Sequence, residues 1–478
     1  MNKDISLFID RYVKEIQNYT AAISMNAGYV DWKSLLSGIA EDLGLDIEKE
    51  TDLVSLAQYN YNENGQNRGV INHALFEEFT KEKDLDENHR ILARLPISTF
   101  WTTNYDSLIE EALRDARKTV DVKHCNSQLS LTVPHRDAIV YKMHGDKSNP
   151  NEAILIKDDY EQYYQKHAQF ITSLSGDLIS KTFLFIGFSF SDPNLDYILS
   201  RIRIDYKENN RQHYAIMRNV SKNDYESEAD YDYAKRKQEL FMGDLKRYSI
   251  KPLMIDDYSE ITDILKEINR RLNHNNVFVS GSAYEYSEYS EDEKAATDFI
   301  QSLSQRLIQK GFNIISGFGL GVGSAVIYGA LQEIYMKNQR INDERLLLRP
   351  FPQGEDYKAM WKEYREDMIS RAGVSIFIFG NKYDAENEST VLAGGMKQEF
   401  EMATEQHNLI VPVGCTGYMA HKIWEEIHED LSKYYTNVDD ELTVAFKKLN
   451  NKCETSQLID NILSFIDLFK NGKHTSAN

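Results

Sequence analysis

Cysteine is scarce in this chain, with three residues in 478, and scattered. Cys125, Cys415 and Cys453 make no Cys-x-x-Cys pair, so neither a zinc ribbon nor a disulfide framework is indicated. No metal site is expected, and a reducing, cytoplasmic setting fits best. Long apolar runs are also missing. Although 41% of residues are hydrophobic, no stretch approaches the length of a membrane span, so no membrane partner is expected. The opening stretch MNKDISLFIDRYVKEI lacks the basic-then-apolar build of a signal peptide. Its Ile5, Phe8, Ile9, Tyr12 and Ile16 fall instead at helical spacing. Positive charge is in deficit. The formal net charge is −20, and a field of that sign repels nucleic-acid backbones, which argues against DNA or RNA as a partner. A charged nucleotide can still bind through local donors such as loop amides or a placed arginine.

What is present is an alternation of short apolar runs with amphipathic helical stretches, the signature of parallel α/β sheets. In the first half the strand candidates are TAAI, ISTFWTT, AIVYKMHG, EAILI, TFLFIGFS, HYAIM and KPLMI. Residues 31–90 read as a helical insertion between the first and second strands. A polar stretch, RRLNHNN at 270–276, precedes a fresh series of strands: VFVSGSA, FNIISGFG, RLLLRPF, GVSIFIFG and LIVPVG. The expected fold is α/β, with two Rossmann-like parallel-sheet domains, 1–273 and 274–478, the first carrying the insertion. No internal repeat or low-complexity segment is found.

Polar clusters sit at three strand ends of the first region, where open parallel sheets bind their ligands. WTTNYD supplies Thr103, Asn104 and Asp106; KMHGD supplies His144; GFSFSDPN supplies Gly187 and Ser189. Together these motifs resemble the sirtuin-like NAD-consuming domains of bacterial defence systems, over about the first 270 residues. The resemblance implies that Asn104 and His144 form the catalytic pair, with Ser24, Thr103, Asp106, Gly187 and Ser189 contacting NAD as substrate, and no separate cofactor. The implied reaction breaks the bond between nicotinamide and ribose. Hydrolysis is expected over lysine deacylation, because sirtuin deacylases carry a four-cysteine zinc ribbon that three cysteines cannot build.

One glycine-rich loop is missing. The family places Gly-Ala-Gly-x-Ser after the first strand, with the glycines against the pyrophosphate. Here AAI runs directly into SMNAGYVDW, which aligns Ser24 with the motif's serine and leaves the loop about six residues short. Either the loop is truly lost, which leaves a nucleotide-binding regulator with a dead first domain, or a segment is missing from the numbering between Ile23 and Ser24. A Cα separation there well beyond ~3.8 Å would reveal the second case.

In the second region, Gly317, Gly319, Gly321 and Gly323 lie between a strand and a helix, with Gly281 and Ser282 ending the preceding strand. Loop amides and a helix N-terminus in that context suit a phosphate. These residues resemble the SLOG superfamily of nucleotide-binding domains. In LAGGMKQEFEMA, Gly394 and Gly395 persist, but the Gly-Thr step of the hydrolase motif is gone, so binding is expected there without catalysis. A sirtuin-like domain followed by a SLOG domain resembles the effector family of Thoeris anti-phage defence across essentially the whole chain. That resemblance implies a cyclic ADP-ribose isomer, made by a TIR-domain partner enzyme, as activator. It also implies Arg365 and Glu399 as signal-binding residues and a homo-oligomer, tetrameric or higher.

Overall fold

The computed structural model describes residues 3–15, 19–23, 32–81, 83–188, 190, 192–206, 211–336, 345–351, 360–470 and 476. The chain forms two compact units, Met1–Asn269 and Arg270–Asn478. Among the described residues no helix is long and apolar enough to cross a membrane.

The first unit is built on seven strands: β1 (Tyr19–Ile23), β2 (Thr99–Thr102), β3 (Val120–Lys123), β4 (Ala138–Lys142), β5 (Thr182–Ile186), β6 (His213–Arg218) and β7 (Ile250–Ile255). They form one sheet in the order β3-β4-β2-β1-β5-β6-β7, and every pairing is parallel. β2 and β5 are buried at every position, the threonines Thr99, Thr102 and Thr182 at their ends included. Register sets the functional edge. Ile23 pairs with both Thr102 and Ile186, and Thr102 pairs with Lys142, so β1, β2, β4 and β5 end level. The chain leaves β1 for β2 on one side and reaches β5 on the other, which opens a crevice at the carboxyl edge. Between β1 and β2 lies the expected helical insertion, including Leu53–Glu63, Gly69–Phe79 and Glu87–Arg94. The N-terminal helix Lys3–Glu15 buries Ile5, Phe8, Ile9 and Tyr12, as their spacing predicts.

The second unit holds β8 (Asn276–Ser282), β9 (Asn313–Ser316), β10 (Leu346–Leu348), β11 (Val374–Phe379) and β14 (Leu409–Pro412) in a parallel sheet, ordered β10-β9-β8-β11-β14. A hairpin of β12 (Asn381–Asp384) and β13 (Ser389–Leu392) stands apart from it. All six residues of β11 are buried at the centre of this unit's core. Both units are therefore Rossmann-like α/β sheets.

Four elements differ from the sequence reading. EAILI is no strand: a 3₁₀ turn, Pro150–Glu152, leads into a buried irregular segment. VDVK forms the edge strand β3, which the sequence reading passed over, as it did the β12–β13 hairpin. The polar stretch at 270 begins inside a helix, Glu260–Asn273, which runs directly up to β8. Residues 24–31, with the turn after β1 and the Ile23–Ser24 junction, lie outside the described residues.

Candidate active site

The level strand ends fix where each side chain leaves the first sheet. After β2 the chain turns at once, with the Thr102 hydroxyl accepting from the Asn104 amide at 3.0 Å. Asp106 follows; its Oδ1 accepts from the Leu108 amide at 3.0 Å and so starts the helix Leu108–Asp115. After β4, His144 is held by the turn at Gly145, whose φ is 91°. A side chain at Gly145 would meet the Ala153 Cα at 3.1 Å and the Glu152 carbonyl at 3.2 Å, so only glycine fits. The His144 carbonyl accepts from the Ile154 amide at 2.9 Å, which ties this turn to the segment misread as a strand.

After β5, Asp192 closes the arrangement. Its Oδ1 accepts from the Asn194 and Leu195 amides, both at 2.9 Å, capping the helix Pro193–Tyr206. Its Oδ2 lies 2.7 Å from Nε2 of His144. That approach lacks hydrogen-bond alignment, so Nε2 lies close to the carboxylate without a well-directed bond. Burial by itself would raise the Asp192 carboxyl, but the neighbouring His144 ring and the cap bonds hold it below the usual carboxylate range. The His144 ring meets Tyr160 edge-on, with centroids 5.6 Å apart. Burial first, then the neighbouring Tyr105, Asp192 and Asp159, push the Tyr160 phenol well up, which keeps it neutral.

Thr103, Asn104, Asp106, His144 and Gly187 all line one cavity of ≈720 Å³. Ser24 and Ser189 lie outside the described residues. Trp32, Leu53, Val54 and Phe79 of the helical insertion supply an apolar wall. The insertion is fastened by Arg68, whose Nη1 donates to both Asp159 carboxylate oxygens at 2.8 Å and whose Nη2 donates to the Ala153 carbonyl at 2.7 Å. Asp159 also accepts from the Leu155 and Ile156 amides, at 3.0 and 3.1 Å, so one joint holds the wall and the helix bearing Tyr160. Among the described residues, Asp52, Asp106, Glu161 and Asp192 line the cavity against a single lysine, Lys157. That imbalance suits a substrate end carrying positive charge.

In the second unit, the turn after β9 lies against the end of β8. A side chain on Gly319 would come within 2.0 Å of the Gly281 carbonyl, so glycine is required by this close approach. Gly317, Gly321 and Gly323 complete the turn into the helix Gly323–Met336, and the Ser282 hydroxyl donates to the Asn381 carbonyl at 3.1 Å. Arg365 and Glu399 are buried and meet: Nε donates to Oε1 at 3.2 Å, while the Ser280 hydroxyl donates to Oε2 at 2.6 Å. Burial pushes the Glu399 carboxyl up, against the pull of Ser280 and Arg365. The Arg365 guanidinium also lies 5.1 Å from the Phe351 ring centroid, over the aromatic that faces Gly317.

Sequence reasoning missed Asp192 as a partner of His144. It also missed Ser280, Tyr160 and the buried Lys142. The strand-end position of Ser280 and Lys142 is the one signal that was available for them.

A parallel sheet gathering these groups at its carboxyl edge, followed by a second sheet with a glycine turn ahead of a helix, defines a SIR2-like unit joined to a SLOG-type unit. Residues 98–240 match the SIR2-like domain family, and residues 260–469 match the Sir2- and TIR-associating SLOG family. The chain belongs to the NAD(+) hydrolase ThsA family. It is 51% identical over 478 residues to the NAD(+) hydrolase ThsA of Bacillus cereus (strain MSX-D12), covering 98% of this chain and 100% of the relative. The ThsA of Cytobacillus dafuensis is 47% identical, over 91% of each chain. That of Acinetobacter baumannii (strain 532279) is 46% identical, over 97% of this chain and 98% of the relative.

Proposed function

We propose that the chain hydrolyses NAD+ to ADP-ribose and nicotinamide in the cavity of the first unit. The observation that carries this reading is the meeting of Asn104, His144 and Gly187, from three separate strand ends, around one ≈720 Å³ space. The names of the full-length relatives support the same reaction. As the C1′–N bond breaks, its electron pair goes to the nicotinamide nitrogen, which leaves neutral while positive charge gathers on the ribose. The excess of carboxylates lining the cavity stabilises that charge. Water adds its oxygen to C1′ and gives up a proton. With Nε2 of His144 facing Asp192, the other ring nitrogen takes that proton or one from a ribose hydroxyl. The Asn104 amide, both donor and acceptor, fixes the ribose or the water, and the apolar wall excludes other acceptors.

The second unit acts as the sensor in this reading. A cyclic ADP-ribose isomer, supplied by a TIR-domain enzyme, binds between the glycine turn, Arg365 and Glu399, and switches on hydrolysis in a cytoplasmic homo-oligomer, tetrameric or higher, depleting NAD during anti-phage defence. Coupling requires tighter binding of the isomer to the active arrangement than to the silent one. Nicotinamide release from NAD, measured with and without cyclic ADP-ribose isomers, tests the proposal. Release that depends on an isomer supports it. Tight isomer binding with no release leaves a regulator whose first unit is inactive, and release that requires an acyl-lysine peptide turns the reading to a deacylase.

A further inference from the structure

Lys142 ends β4 with its side chain completely buried, an expensive place for an ammonium unless it is fully partnered. Its Nζ donates to the Tyr105 carbonyl at 3.2 Å and, at shorter range, to the Asp106 carbonyl. It pairs with Asp146 and, at 3.1 Å, with Glu110. Burial opposes its charge, yet the two carboxylates hold the ammonium above its ordinary range. These partners are spread across the site's scaffold. Tyr105 and Asp106 follow Asn104 on the loop after β2, Glu110 lies in the helix that comes next, and Asp146 lies two residues after His144. The Lys147 amide donates to the Tyr105 carbonyl at 3.0 Å, so the two loops are also joined directly beside the ammonium. Among these residues only Tyr105 and Asp106 line the cavity, and Lys142 does not.

We propose that Lys142 is a positioning residue, an internal clamp that sets the distance between the loop bearing Asn104 and the loop bearing His144. This rests on the reading of that pair as the hydrolytic site. The three N–H groups of the ammonium bond two inward-facing carbonyls and the Asp146 carboxylate while its charge faces Glu110, which a neutral side chain of the same length cannot do. Without it the Lys147 bond loses the ammonium beside it, and the pair drifts out of register with the glycosidic bond.

The test compares wild type, Lys142→Met and the double variant Lys142→Met/Glu110→Gln in the full chain. Lys142→Met strands two buried carboxylates, so the double variant is decisive: it leaves Asp146 with its bond from the Ser148 amide at 2.8 Å. Expected in the folded double variant is a kcat for NAD lower by about a hundredfold with KM nearly unchanged. Amide exchange at Lys147 and Asn104 should be faster, while exchange in the helix Glu293–Gln309 of the second unit stays as in wild type. Wild-type kcat with wild-type exchange at Lys147 overturns the proposal, as does a uniform loss of protection across the first unit. Turnover is measured with a cyclic ADP-ribose isomer present; should the wild-type chain then release no nicotinamide, the functional reading fails, and the exchange measurement still decides the fate of the clamp.

Discussion

The two units gather polar groups at the carboxyl ends of parallel strands, but they satisfy them differently. In the first, most groups around the cavity take a bond from the scaffold: Asp192 caps one helix, Asp106 starts another, and Lys142 holds both loops. The cavity walls are thus set before any substrate arrives, the arrangement that favours chemistry on a developing charge. In the second unit, Arg365, Glu399 and Ser280 bond to one another. A ligand entering there must replace those bonds, and only one with matching donors and acceptors can do so without stranding a buried charge. Preorganised groups suit catalysis; groups that close on themselves suit discrimination.

The first half of that contrast breaks most sharply at His144. His144→Ala should lower nicotinamide release by about 10²–10⁴-fold, the contribution of a placed general base, with unchanged far-ultraviolet dichroism. Unaltered turnover would remove the imidazole from the reaction. A finer cut is Asp192→Asn, which keeps a capping side chain and removes the charge beside Nε2. Turnover lower by roughly a hundredfold is expected, the smaller end of the same range; an unchanged kcat would leave Asp192 as a helix cap alone.

In the second unit, Gly319→Ala drives a methyl into the Gly281 carbonyl and should cost that unit about 1–3 kcal/mol by denaturant unfolding. Gly394→Ala, with nothing within 4 Å, should change it by less than about 0.5 kcal/mol. Equal effects would discard the tight turn. A further effect expected is a pH slope confined to the first unit. His213 is buried, and burial first, then the Arg211 charge, drive its pKa down to about 4, with Nδ1 accepting from the Phe183 amide at 3.1 Å. The unfolded chain takes up that proton near 6.5, so stability falls as pH drops from 6.5 toward 4, by roughly 1.4 kcal/mol at pH 5.5. In His213→Gln the urea midpoint should lose this part of its slope.

Where the sequence misled, the missing information was a distant partner. The apolar run EAILI suits a buried strand, but its backbone groups are taken by Asp159 of the helix that follows and by the His144 carbonyl, Arg68 and the Tyr105 hydroxyl, which lie farther along the chain. VDVK looks too polar for a sheet. Its Asp121 and Lys123 are nonetheless buried, because they pair with each other at 2.6 Å and Asp121 also takes Arg136. The strand-end position of Lys142 did not reveal its role for the same reason: a charge can be buried only where its partners converge.

By itself, the order of residues determined the alternation of strands and helices, the strand ends that bear Asn104, His144 and Gly187, and the glycines of the second turn. Those follow from local periodicity and from backbone conformations that only certain residues adopt. The tertiary structure alone decided that Asp192 faces His144, that Arg365 closes on Glu399, and that a buried ammonium joins two loops. Each of these depends on the register of strands far apart in the chain, and register is a property of the assembled sheet.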